Sequence, residues 1–379
     1  MGNKYFFIVL YIFFGTLLSD YRDIPDIATK VGTYSPFFIE SYPLNQLSAF
    51  GMTRSVNGST GDFSIGNPAL LNLHRKPLIE FSSYNDSREN NLINQNPIAN
   101  PFLALNIILP LRYKNKTTNI GISFNNIYSM NSSIENSINM SSIDIEQKLN
   151  KYSIAVASEL KLFNYTIYYG AQLNQYSYKE SIYEIIDIEG QGRSITYGLF
   201  IPLSNIKIGL NLETETIITI NMDNHGLTVG PDDPGGNLQQ VTTYNSYQPK
   251  NIGLGFTSLL TRELELYFEY NRYFYTSMES HSYNSDIKNS TMGFRYMINE
   301  QFLATIGYYK VNEHIYDNIS NNFFDNEFWN RSCINLGLAY NTKLFIYDIG
   351  WTIKGIQEDN YFLKLSISLL LDSYISPFH

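Results

Sequence analysis

Five histidines, one cysteine and a pair of adjacent aspartates are where chemistry would be sought in this chain. His74, His225, His281, His314 and His379 are scattered, and none falls inside a run with strand periodicity. A hydrolytic or acyl-transfer site needs a nucleophile or an activated water held beside a histidine or carboxylate. No Gly-x-Ser-x-Gly, His-Glu-x-x-His or Gly-rich phosphate loop ending in Lys occurs. Asp232 and Asp233, in GLTVGPDDPGGNLQQ (226–240), could offer carboxylate oxygens to a divalent ion. The regular oxygen spacing of a calcium loop is missing, so the stretch reads as a solvated Pro/Gly turn. Cys333 is the only cysteine, which leaves no intrachain disulfide and no cysteine-based zinc site. In its strand-like run it reads as a small inward filler. These residues predict no catalytic site, no metal site, no cofactor and no enzyme.

The stretch that stands out instead is GDFSIGNPALLN (61–72). Pro68 fixes its own φ and biases Asn67 toward extended backbone, so a rigid change of direction is expected there. Residues 20–76 are rich in Pro and Gly, with weak periodicity, yet they include the apolar runs PFFIESYPL (36–44) and ALLNL (69–73). That apolarity favours a segment packed inside a larger structure over a free tail.

The elements able to hold such a segment are strands. Aromatic residues make up 15% of the 379-residue chain, and charged residues only 16%, against about 25% in ordinary soluble domains. The net charge of −9 and the lack of any Lys/Arg cluster in the sequence exclude a nucleic-acid binder. From residue 77 on, the dominant period is two. ELELYFEY (263–270) sets Leu264, Leu266, Phe268 and Tyr270 against Glu263, Glu265, Tyr267 and Glu269. SCINLGLAYN (332–341), KLFIYDIGWTIK (343–354) and NYFLKLSISLLL (360–371) repeat the pattern, and many polar faces carry small residues such as Asn119, Gly121 and Ser123. Small polar residues suit the crowded interior of a closed barrel whose outside meets lipid. The apolar rows often end in Tyr, as at Tyr128, Tyr270, Tyr296, Tyr340 and Tyr361, in the manner of interfacial girdles.

Fourteen such runs are expected, joined alternately by very short turns and by long polar loops, the latter around 86–101, 129–150, 222–247, 276–286 and 313–330. The fold class predicted is therefore all-β: a transmembrane antiparallel β-barrel of about 14 strands, with an N-terminal plug segment in the lumen. The apolar run from Tyr5 to about Leu18 after Lys4 is too short to span a bilayer and fits a secretory signal peptide. The expected division is 1–19 signal peptide, 20–76 plug and 77–379 barrel.

AFGMTRSVNGSTGDFSIGNPALLNL (49–73) resembles the amino-terminal region of the FadL/TodX family of outer-membrane hydrophobic-compound transporters. Gly66, Asn67, Pro68 and Ala69 match its Asn-Pro-Ala motif, with Leu70 where the family has Gly. YQPKNIGLGFTSLLTRELELYFEYNRYF (247–274) and GFRYMINEQFLATIGYY (293–309) continue the likeness. The resemblance implies passive uptake of long-chain fatty acids or other hydrophobic small molecules across a bacterial outer membrane, often with lateral release through the barrel wall. It implies outer-membrane lipid and the barrel-assembly machinery as partners. Phe63, Ile65, Leu70 and Leu71 are then either the lining of a hydrophobic ligand pocket or simple plug packing. The related PorV-like barrels, which act as secretion-system shuttles, share the same motif region and leave a non-transporting barrel as the alternative.

Overall fold

The computed structural model describes residues 66–86, 102–113, 116–136, 141–162, 165–182, 186–224, 243–274, 277, 286–299, 301–312, 332–342, 344–354 and 361–370. The segment expected as a signal peptide, most of the expected plug and the Asp232-Asp233 loop lie outside them.

A short 3-10 helix, Pro68–Leu73, precedes sixteen β segments. They are β1 (Leu78–Asp86), β2 (Phe102–Tyr113), β3 (Lys116–Asn136), β4 (Ser141–Leu162), β5 (Tyr165–Ile182), β6 (Ile186–Pro202), β7 (Ile206–Glu213) and β8 (Thr216–Asn224). The remainder are β9 (Thr243–Gln248), β10 (Asn251–Leu259), β11 (Leu264–Tyr273), β12 (Ile287–Met297), β13 (Phe302–Asn312), β14 (Ser332–Asn341), β15 (Phe345–Lys354) and β16 (Tyr361–Leu370). Every neighbouring pair is antiparallel, and the β1–β16 and β5–β6 pairings close the sheet on itself.

The closed wall has fourteen staves, because two are interrupted. β6 pairs with β7 through residues 196–202 and with β8 through residues 186–192. β7 and β8 are thus one stave broken at Thr214-Glu215. β9 pairs with β8, and β10 with β7, so these form the facing stave, broken at Pro249-Lys250. Pro249 has no N–H to give a ladder. Across the break the inward positions change parity, from Asn211 and Glu213 to Thr216, Ile218 and Ile220, as a bulge requires. Thr214 repairs the β6 side: its N–H donates to Ile195 O at 2.9 Å, and its Oγ1 accepts from Ile195 N at 3.0 Å.

The short turns are fixed by side chains standing in for missing ladder partners. Asn299 Oδ1 accepts from the Gln301 and Phe302 N–H groups at 2.9 Å. Thr261 Oγ1 and Thr342 Oγ1 do the same for Leu264 and Phe345.

Face assignment follows the sequence alternation. Glu265, Tyr267 and Glu269 are buried inside, whereas Leu254, Phe294, Ile306, Ile334, Leu338 and Ile349 are exposed on the outer surface. A continuous outward belt of Leu, Ile, Phe and Tyr is stable only against hydrocarbon, so the wall is that of an outer-membrane barrel.

One expectation is corrected. The polar stretch 129–150 is not mainly a loop: β3 runs to Asn136 and β4 begins at Ser141. Part of 222–247 is likewise strand. Twenty-two residues at ~3.3 Å each and about 45° tilt reach roughly 50 Å in height, twice the ~25 Å apolar band. Strands standing beyond the bilayer meet water outside and no longer need the apolar row, so they read as loop.

Candidate functional site

The 3-10 helix lies on the inner face of the wall, and its first residues set its position. Asn67 is extended (φ −92°, ψ 112°) and caps the helix, with its Oδ1 accepting from Ala69 N at 2.9 Å. Pro68 occupies the first turn, where its lack of an N–H costs nothing. Asn67 then uses its remaining donor on the wall: Nδ2 donates to Leu199 O at 2.8 Å and to Leu210 O at 3.2 Å. Leu199 and Leu210 are register partners on β6 and β7, so one amide ties the helix to two strands.

Such an approach needs a wall without side chains. Gly170 on β5 and Gly198 on β6 are register partners that together form a bare patch. A Cβ at Gly170 would lie 2.7 Å from the Pro68 carbonyl carbon and 2.8 Å from Ala69 N. A Cβ at Gly198 would fall on Asn67 Oδ1 and within 2.8 Å of Pro68 Cδ. Following the register in the other direction, Gly170 pairs with Ala157 on β4, and Ala157 with Asn119 on β3. The helix runs along this row of small residues. At its far end Asn119 Nδ2 donates to Leu71 O and, at 2.8 Å, to His74 O.

Apolar contacts complete the seat. Leu70 and Ala69 pack with Tyr168 and Phe200, and Leu71 packs with Leu78, Ile108, Ala155 and Ala157. Burying a leucine stabilises by about 1.5–3 kcal/mol, so these two side chains outweigh any single hydrogen bond of the seat. Asn72 is fully buried beside them, and among the described residues neither of its side-chain polar atoms meets a hydrogen-bond partner.

Of the residues singled out in the sequence, Gly66, Asn67, Pro68 and Ala69 are brought together at the seat, all buried. Leu70 and Leu71 face the wall, and Phe63 and Ile65 lie outside the described residues. His74 is the one histidine among the described residues, and what the seat uses is its backbone carbonyl.

A second cluster lies farther up the lumen, just below the broken staves. Glu213 Oε1 accepts from Tyr176 OH at 2.6 Å, Ser194 Oγ at 2.7 Å, Asn174 Nδ2 at 3.1 Å and Lys151 Nζ at 3.2 Å. Glu213 Oε2 accepts from Asn251 Nδ2 at 3.3 Å. Lys151 also lies over the Tyr176 ring, 5.2 Å from its centroid. Five side chains from β4, β5, β6 and β10 thus converge on the one buried carboxylate of β7, as a charge inside a wall demands. Sequence reading missed this group, although strand parity carried the signal: Lys151 shares a face with Ser153, Ala155 and Ala157, and Glu213 with Asn211 and Gly209.

No protein-family model matches the chain, and no curated protein matches it. Solved structures do. The crystal structure of the Pseudomonas putida toluene transporter TodX superposes with a TM-score of 0.57 at 11% identity, covering 84% of this chain and 95% of that one. A Pseudomonas aeruginosa FadL homologue gives 0.59 at 12% identity, covering 86% and 97%. The Ralstonia pickettii toluene transporter TbuX gives 0.58 at 12% identity, covering 87% and 98%. At such identities the likeness is one of fold, and it extends over nearly the whole of each channel. The chain has the fold of the FadL/TodX outer-membrane channels.

Proposed function

We propose that this chain is a passive outer-membrane channel for hydrophobic small molecules, long-chain fatty acids among them, whose passage is controlled by the segment ending in the Asn67-Pro68-Ala69 turn. The observation that carries the reading is the seat itself: the family-like motif lies inside the lumen on a side-chain-free patch made for it. The solved relatives are transport channels, described as toluene transporters and monoaromatic hydrocarbon channels, which supports the same solute class and a role without catalysis.

Residues 20–76 act as the plug and 1–19 as the cleaved signal peptide in this reading. The chain then reaches the outer membrane through the barrel-assembly machinery. In this reading the 3-10 helix is able to leave its seat. Once it moves, Leu70 and Leu71 become free to line a hydrophobic path with Phe63 and Ile65. Outer leaflets resist hydrophobic solutes, and an apolar path through the wall concentrates and passes them without an energy source.

Purified protein in liposomes should accelerate entry of oleate or toluene above empty liposomes. Rates equal to those of empty liposomes, with no lipid or hydrocarbon co-purifying, would contradict the proposal and favour a non-transporting barrel.

A further inference from the structure

The outer surface carries a group of cations that neither the fold nor transport requires. Lys250, at the stave break, and Lys288, on β12, are exposed on the outside of the barrel. Arg272, on β11, lies between them: it is the register partner of Lys288, and Phe274 N donates to Lys250 O at 3.0 Å. Lys250 Nζ and Arg272 Cζ share the Phe274 ring, at 5.2 and 4.7 Å from its centroid. Arg272 is held by Asp286, which accepts from Nε at 2.8 Å and from an Nη at 2.6 Å. Among the described residues no carboxylate lies within ion-pair distance of Lys250 or Lys288, although Glu215 is exposed on the neighbouring stave.

Like charges directly opposite on neighbouring strands destabilise a sheet. A chain of net charge −9 that gathers three cations on adjacent strands, with Asp286 balancing Arg272 only, leaves the two lysines a counter-charge to meet. Their height says what it is. They stand at the long-loop end of β10, β11 and β12, which is the outer face of such barrels. Directly below them, in the same outward-facing rows of β10 and β11, are Ile252, Leu254, Phe268 and Tyr270. A cationic row above an apolar, Tyr-bearing belt complements an anionic amphiphile whose head lies at the interface and whose chains lie along the wall.

We propose that Lys250, Arg272 and Lys288 form a binding site for the phosphate-bearing head group of an outer-leaflet lipid, at the foot of the extramembrane part of the wall. Arg272 is already oriented by Asp286 and Phe274, and the two lysines supply the free charge. The site rests on the barrel and its membrane level, not on transport, so failure of either reading leaves the other standing.

The test uses the full chain in nanodiscs of zwitterionic lipid, titrated with diphosphorylated lipid A and, separately, with lipid A stripped of both phosphates. The wild-type protein is expected to retain the phosphorylated form, with Lys250→Gln/Lys288→Gln lowering retention about tenfold or more and Lys250→Arg/Lys288→Arg restoring it. A heat-dependent gel shift confirms that each variant is folded. Equal retention by the folded Gln variant and the wild type, or equal retention of the two lipid forms, would overturn the site. Competition of the bound lipid by millimolar inorganic phosphate would also overturn it, because a lipid site draws on the apolar belt as well.

Discussion

Asn67 and Glu213 show two ways in which one side chain can bind strands together inside a barrel. Asn67 spends its acceptor on its own helix and its donor on two wall carbonyls. Among the described residues Glu213 accepts from five side chains, and Lys151 is the cation of that group. Removing one partner of a buried pair leaves an uncompensated charge, which costs about 3–5 kcal/mol, whereas replacing both is often neutral. Lys151→Met should therefore lower the unfolding midpoint in urea, and Lys151→Met/Glu213→Gln should recover most of the loss. Midpoints that fall additively would show that the pair does not act as a unit. The Asn67 turn was legible in the sequence because Pro68 restricts backbone locally. Its partners were not: Leu199 lies 132 positions away, and only the register brings Gly170 and Gly198 together.

At the scale of elements, the strands that cross hydrocarbon were easy to read. In β11, β14 and β15 a lipid face and a crowded lumen force large apolar residues to alternate with small or polar ones. The same rule hides MNSSIEN (130–136) and SSIDIEQ (141–147), which stand above the bilayer in β3 and β4. β8 and β9 belong to this outer tier, and each joins its lower stave across a two-residue break. A tier that adds height without closing the wall should be dispensable for the barrel. Replacing residues 216–248 by a short Asn-Gly turn should leave a heat-modifiable, protease-resistant barrel, because β7 and β10 still pair along eight residues. A variant that no longer folds into a heat-modifiable form would show that the upper tier is part of the closure.

For the whole molecule, fourteen staves enclose a lumen with layers of different chemistry. The helix seat lies toward the short-turn rim, the Glu213 cluster at the level of the stave breaks, and buried Tyr178, Ile188, Ile218 and Ile220 above it. In the proposed function, passage along this axis displaces the seated helix, so the proposal depends on that seat. Gly198→Val tests it most directly, since the new side chain falls on Asn67 and Pro68 while its backbone stays within the allowed strand region. Uptake of oleate and leak of a small polar solute would be measured together in proteoliposomes. The expected outcome is a folded, heat-modifiable barrel in which small-solute leak rises and hydrophobic uptake changes with it. A folded variant whose uptake and leak both match the wild type would contradict it and reduce the Asn67-Pro68 turn to a structural corner.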